Sequence, residues 1–173
     1  MKLLLIISVL MFSGCSDAVE NNNAETCDIT FKNIGSCSYK DITVSVDAKV
    51  LSSDEKLLQR LNVIESGNKF VLNIVKDTTI IDGDKGYISF KDINFDNVPD
   101  LAITTSFGLA NLYMDYWVYD TVKNEYAYIG NYAKFEINLK NKTLANIVKV
   151  SAAKYKNTKY SWNGFKLVEL KIE

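Results

Sequence analysis

The chain has 173 residues, with 20 basic and 21 acidic side chains, no histidine and a formal net charge of −1. Near-balanced charge excludes a broad electrostatic pull toward nucleic acid, and the lack of histidine removes the commonest general base and metal ligand. Hydrophobic residues make up 47% of the sequence, enough for one ordinary core.

Met1 and Lys2 are followed by an apolar run from Leu3 to Phe12. The run is too short to span a bilayer as a mature helix and reads as an export signal. It ends in Phe12-Ser13-Gly14-Cys15, which resembles the bacterial lipoprotein signal, where cleavage before the cysteine exposes a residue that receives lipid. On that reading residues 1–14 are the signal peptide and Cys15 is the lipidation site; a plain secretory signal with an incidental cysteine competes with it. Several acyl chains on one residue would anchor the protein firmly, at ~0.8 kcal/mol per buried methylene. Residues 15–26, with Asn21-Asn22-Asn23, offer almost nothing to a core and are expected to be a flexible tether. The expected location is the bacterial cell envelope facing the periplasm, and Ser16 favours the outer membrane by resemblance to common sorting behaviour.

Disulfides persist in exported chains, so Cys27 and Cys37 are expected to pair, leaving Cys15 for lipid. Two buried free thiols are the alternative, and zinc is disfavoured without histidine. Residues 27–173, 147 in all, are the size of a single domain.

Asp41 to Asp47 alternates polar and apolar residues with period two and predicts a strand. Ser52 to Ile64 is ambiguous: Ser52 and Glu55 suit a capping box and Leu57, Leu58, Leu61 and Ile64 fit a helical face, yet Leu57, Leu61 and Val63 also alternate. Local signals favour a helix there. Lys69 to Val75 predicts a strand with Phe70, Leu72 and Ile74 on one face, and Gly83 and Gly86 a turn into the strand Tyr87 to Lys91.

That strand leads into Asp92-Ile93-Asn94-Phe95-Asp96-Asn97-Val98-Pro99-Asp100-Leu101. Asp92, Asn94, Asp96 and Asp100 stand where side-chain oxygens can converge on Ca2+, with the Val98 carbonyl as a further ligand. Ile103 stands where an EF-hand needs a bidentate Glu, and no helix pattern flanks the loop, which disfavours that motif. Asn97 occupies the sharp-turn position and tolerates a left-handed conformation. The same residue types make ordinary polar turns. The cation reading rests on three nearby carboxylates with only Lys91 beside them.

Leu101 to Thr105 predicts a strand, and hairpins follow: Tyr116–Tyr119 with Tyr126–Ile129, Lys134–Leu139 with Thr143–Val150, and Lys159–Trp162 with Phe165–Ile172 across Asn163-Gly164. One proline and many short strands predict an all-β antiparallel meander. Sixteen of the 20 aromatics lie from Tyr87 onward, where cross-strand pairing and core account for most of them. The segment Ser106 to Tyr113 lacks clean periodicity and mixes small with aromatic residues, as protein-binding loops do. Ser106, Phe107, Asn111 and Tyr113 are therefore candidate partner-binding residues.

No histidine-based nucleophile pair, G-x-S-x-G motif or phosphate cradle is present, so an enzyme is not expected. The one dense acidic cluster is spaced for an ion better than for glycosidase chemistry.

The lipid signal, the motif Asp92-Ile93-Asn94-Phe95-Asp96 with Pro99-Asp100-Leu101, and Tyr116-Trp117-Val118-Tyr119-Asp120 resemble bacterial envelope lipoproteins with a calcium-binding, β-propeller-like fold related to integrin-type repeats. Some members of that group are immunity proteins against lysozyme-like peptidoglycan hydrolases. The resemblance covers chiefly Leu57 to Trp162 and implies a strand at Lys56 to Val63, against the local helix signal. Asn97 departs from the expected Gly. The domain is short for a closed propeller at about 40 to 45 residues per blade, so an open or incomplete ring is expected. The resemblance implies a lipid-anchored immunity protein that binds calcium structurally and occludes the hydrolase active site. A structural or adhesive calcium-binding envelope module is the alternative.

Overall fold

The computed structural model describes residues 25–107 and 110–171. The expected signal peptide, the expected lipidation site Cys15 and nearly all of the expected tether lie outside the described residues. Thirteen strands and no helix are found in the described chain. In order they are β1 Thr26–Thr30, β2 Ser36–Tyr39, β3 Ile42–Val50, β4 Glu55–Glu65, β5 Asn68–Ile81, β6 Lys85–Ser89 and β7 Leu101–Thr104. There follow β8 Tyr113–Asp120, β9 Glu125–Ala133, β10 Glu136–Asn138, β11 Thr143–Lys149, β12 Tyr155–Asn163 and β13 Lys166–Leu170.

All neighbouring strands are antiparallel, in three sheets that do not close on themselves. The first is β2-β3-β4-β5, the central one is β1-β6-β7-β8-β9 and the third is β10-β11-β12-β13. Apart from β1 at the edge of the central sheet, each is a meander of four consecutive strands. The all-β antiparallel expectation holds.

The central sheet is covered on both faces. Leu101, Ile103 and Trp117 enter one cluster with Val44, Leu61, Val63 and Ile80 of the first sheet. Ala102, Met114, Tyr116 and Val118 point the opposite way into a second cluster with Phe135 and Leu144. A strand buried on both faces loses the polar alternation of a half-wet one, and all four residues of β7 are accordingly buried.

The segment Ser52 to Ile64 is where local signals misled. It forms β4, not a helix, paired with β3 and β5 along its length. The register shifts on both sides at Gln59, between Leu58 and Arg60. One extra residue turns the alternation over, so Leu58 and Leu61 are buried on the same side despite their odd spacing. That three-residue interval is what imitated a helical face.

Cys27 and Cys37 are joined as a disulfide with a Cα–Cα distance of 6.1 Å. Because Cys27 is on β1 and Cys37 on β2, the bond crosses from the central sheet to the first. Gly83 takes a left-handed φ of 98° at its turn, whereas Gly86, expected with it in the turn, lies inside β6. A Cβ there would stand 2.5 Å from the Phe107 ring and 2.8 Å from Thr104, so glycine makes room for Phe107.

Candidate functional site

The aspartate loop joins β6 to β7, and its first carboxylate organises it. Asp92 Oδ1 accepts the Phe95 N–H at 2.6 Å and the Asp96 N–H at 3.2 Å, while Oδ2 accepts the Asn97 N–H at 2.8 Å. Those bonds hold Phe95 and Asn97 at φ values of 66° and 69°. The left-handed region suits Asn but costs a bulky residue ~1–2 kcal/mol; Phe95 is held there with its ring against the second hydrophobic cluster. Asn94 Oδ1 accepts the Asp96 N–H at 3.1 Å, its amide donates to Asp96 Oδ2 at 2.8 Å, and Asp96 Oδ1 accepts the Val98 N–H at 2.8 Å.

Asp100 has a different setting. Only 1% exposed, it accepts N–H groups from Ile93 at 2.8 Å and Asn94 at 3.3 Å on one oxygen and from Tyr119 of β8 at 3.0 Å on the other. Burial pushes its carboxyl up to about 8 against the hydrogen bonds from Ile93 and Tyr119, and the charges of Asp96 and Asp92 add to the rise. A cation beside it would favour the charged form instead. The loop is also tied to the third sheet, because Trp162 Nε1 on β12 donates to the Ile93 carbonyl at 2.6 Å.

The donor set is all oxygen, as Ca2+ prefers. Among the described residues, however, no three His, Cys, Asp or Glu side chains stand together as a group that could hold a metal ion. Asn94 and Asp96 meet through their side chains, whereas the carboxylates of Asp92 and Asp100 are both turned to backbone N–H donors.

The expected partner-binding residues lie in the connection between β7 and β8. Ser106 is 7% exposed; its hydroxyl donates to the Asn111 carbonyl at 3.0 Å and accepts the Tyr113 N–H at 2.8 Å. Phe107 packs against the first cluster. Asn111 makes a two-way pair with the Lys149 backbone of β11, donating at 3.0 Å and accepting at 2.8 Å. In this structure, then, Ser106, Phe107 and Asn111 bind the connection to the rest of the fold, while Tyr113 is a half-buried opening residue of β8.

Sequence reasoning passed over Asp115. Fully buried on β8, it accepts the Val75 N–H at 3.1 Å, the Tyr128 hydroxyl at 3.1 Å and the Asn131 amide at 2.8 Å. Val75 lies where β5 breaks its pairing with β4, so this carboxylate receives an N–H that leaves the first sheet. An acidic residue inside the aromatic run Tyr113 to Tyr119 was the available signal.

No protein-family model, curated protein or solved structure matches the chain.

Proposed function

We propose that the chain is a lipid-anchored envelope protein that binds Ca2+ in its 92–100 loop and shields its cell by blocking the active-site cleft of a lysozyme-like peptidoglycan hydrolase. The observation that carries the calcium part is the loop's position: the Asp100 carboxylate accepts the Tyr119 N–H of β8 and the Ile93 carbonyl accepts the Trp162 indole N–H of β12. An ion held there braces the junction of two sheets. Asp92, Asn94 and Asp96, with the Val98 carbonyl, would meet the ion, and Asp100 would come to it as an anion relieved of its burial penalty. The ion's contribution is charge neutralisation and oxygen coordination.

The Cys27–Cys37 bond supports an oxidising compartment. Three successive four-stranded meanders are what an open, propeller-like ring would contain. The blocking activity rests on the family resemblance of the aspartate and Tyr-Trp-Val-Tyr-Asp motifs. Purified protein mixed with a broad panel of muramidases should slow cell-wall lysis by at least one of them; no protection in any case overturns the inhibitor reading.

A structural or adhesive envelope module is the second reading, favoured by the internal engagement of Ser106, Phe107 and Asn111. The two separate on whether a hydrolase forms a tight 1:1 complex. Calcium should raise the melting temperature, by an amount equivalent to about 2.7 kcal/mol at a hundred times Kd, and Asp92→Ala or Asp96→Ala should abolish the rise. Unchanged melting on adding chelator to wild-type protein defeats the calcium reading.

A further inference from the structure

Between the β1–β6 edge of the central sheet and β10 of the third lies a cavity of about 310 Å³, which touches the 92–100 loop only at Ile93 and has no part in the blocking activity. Its size is at the lower end of small-ligand sites, which run ~300–1,000 Å³. The floor is buried and apolar, made by Ile93, Met114, Tyr116 and Phe135. The rim is polar and exposed: Thr26 and Asp28 on β1, Lys91 after β6, and Lys134 ahead of β10.

Two features of this lining are unspent. The Tyr87 hydroxyl is buried without a hydrogen-bond partner, and it is the one such side-chain N or O atom among the described residues. Buried polar groups are almost always satisfied, and an exception calls for a missing partner. Its neighbour Tyr116 is already engaged, since that hydroxyl accepts the Phe135 N–H at 3.1 Å and meets Met114 Sδ at 3.6 Å. The second feature is charge. Lys134 Nζ stands 5.5 Å from the Tyr87 ring centroid, and neither Lys134 nor Lys91 makes an ion pair within the described residues. Asp28 is the only carboxylate on the rim, so the mouth carries an excess of positive charge over an apolar floor.

We propose that this cavity binds a small molecule with one carboxylate on an apolar, ring-sized body. Lys91 and Lys134 hold the acid group at the rim, and Met114, Phe135 and Ile137 receive the body. Charge-assisted bonds to a carboxylate are the strong ones, and lysine side chains rooted at a wall reach a rim ligand without burying their charge. The proposal stands independently of the calcium and hydrolase readings.

The test uses the full chain carrying Cys15→Ser, which blocks lipidation outside the cavity, ¹⁵N-labelled and titrated with benzoate and with neutral benzamide. Benzoate should move the backbone amides of Tyr87, Lys91, Phe135 and Ile137 together, and benzamide should bind about ten-fold more weakly. Lys134→Gln, alone or with Lys91→Gln, should bring benzoate binding down to the benzamide level. Absence of shifts at those amides, equal binding of benzamide and benzoate, or unchanged benzoate binding in the lysine variants overturns the proposal. A water filling the cavity in place of a ligand gives the first of these results.

Discussion

The two interfaces of the central sheet mix aliphatic groups and rings in different proportions. Against the first sheet its buried centre is mainly aliphatic, with Leu58, Leu61, Val63 and Ile80 in one cluster with Ile88, Leu101 and Ile103, and rings join it where Phe70 stands 5.3 Å from Tyr126 and 6.1 Å from Tyr119. Against the third it packs rings: Tyr116 and Phe135 have centroids 4.8 Å apart, Tyr132 and Phe135 5.2 Å, and Phe135 and Tyr160 5.5 Å. Aliphatic groups interdigitate to near-crystalline density. Rings meeting at a tilt or edge-on tile less completely, and their hydroxyls demand partners. The first interface is crossed by a disulfide, whereas the second is joined by hydrogen bonds, Trp162 to Ile93 and the Asn111–Lys149 pair, and holds the cavity. The covalent crossing and the larger buried cluster predict that the first interface contributes more to stability than the second.

The contrast can be broken most forcefully at Leu61, which is fully buried. Leu61→Ala should cost about 3 kcal/mol in a denaturant titration, while Phe135→Leu in the other interface should cost about 1 kcal/mol. Equal losses would erase the distinction. Replacing Cys27 and Cys37 together with Ser should cost about 2 to 3 kcal/mol, and wild-type protein under reductant should lose the same amount while the variant is unaffected. Trp162→Phe removes the indole donor to Ile93 and should cost about 1 kcal/mol. In calcium-binding protein it should also lower the ion's affinity, read by calorimetry.

The smallest effect is a pH dependence at the first interface. Burial raises the Glu65 carboxyl above its usual value, against the 2.9 Å bond from the Tyr126 hydroxyl, and Asp41 adds to the rise. A folded-state pKa above the unfolded one means that the folded protein holds the proton more tightly. The resulting stability is full below the ordinary Glu range near pH 4.5 and is lost as pH rises through the elevated value. Glu65→Gln should flatten that part of the stability profile, measured as urea midpoints from pH 4 to 7.

How much was legible follows the range of the interactions. The last hairpin was readable because its cause is local, but its turn falls one residue later than expected: Asn163 pairs with Lys166, and Gly164, at a φ of 58°, makes the loop with Phe165. Phe70, Leu72 and Ile74 were readable as one face because alternation survives along that part of β5, and all three pack on the first cluster. Residues 52–64 were not, because the bulge at Gln59 is imposed by two partner strands that no local window contains. In the candidate loop the oxygen-bearing residues could be listed from spacing, but spacing gave no sign that Asp100 faces Tyr119, nineteen residues away. The cavity was invisible for the same reason: its walls come from β1, β6, β8 and the approach to β10.

The placement of β1 also has a mechanical meaning. The chain ahead of Glu25 enters the fold at the edge of the central sheet, where the Glu25 carbonyl accepts the Phe90 N–H at 2.8 Å and Thr26 pairs with Ser89. A pull applied along that entering chain can peel only these first contacts before it reaches Cys27. Beyond that point the load passes through the disulfide into β2 and the first sheet, bypassing most of the β1–β6 ladder. In the tethered molecule proposed above, the disulfide would give tension a covalent branch into the first sheet, one position ahead of the rim residue Asp28.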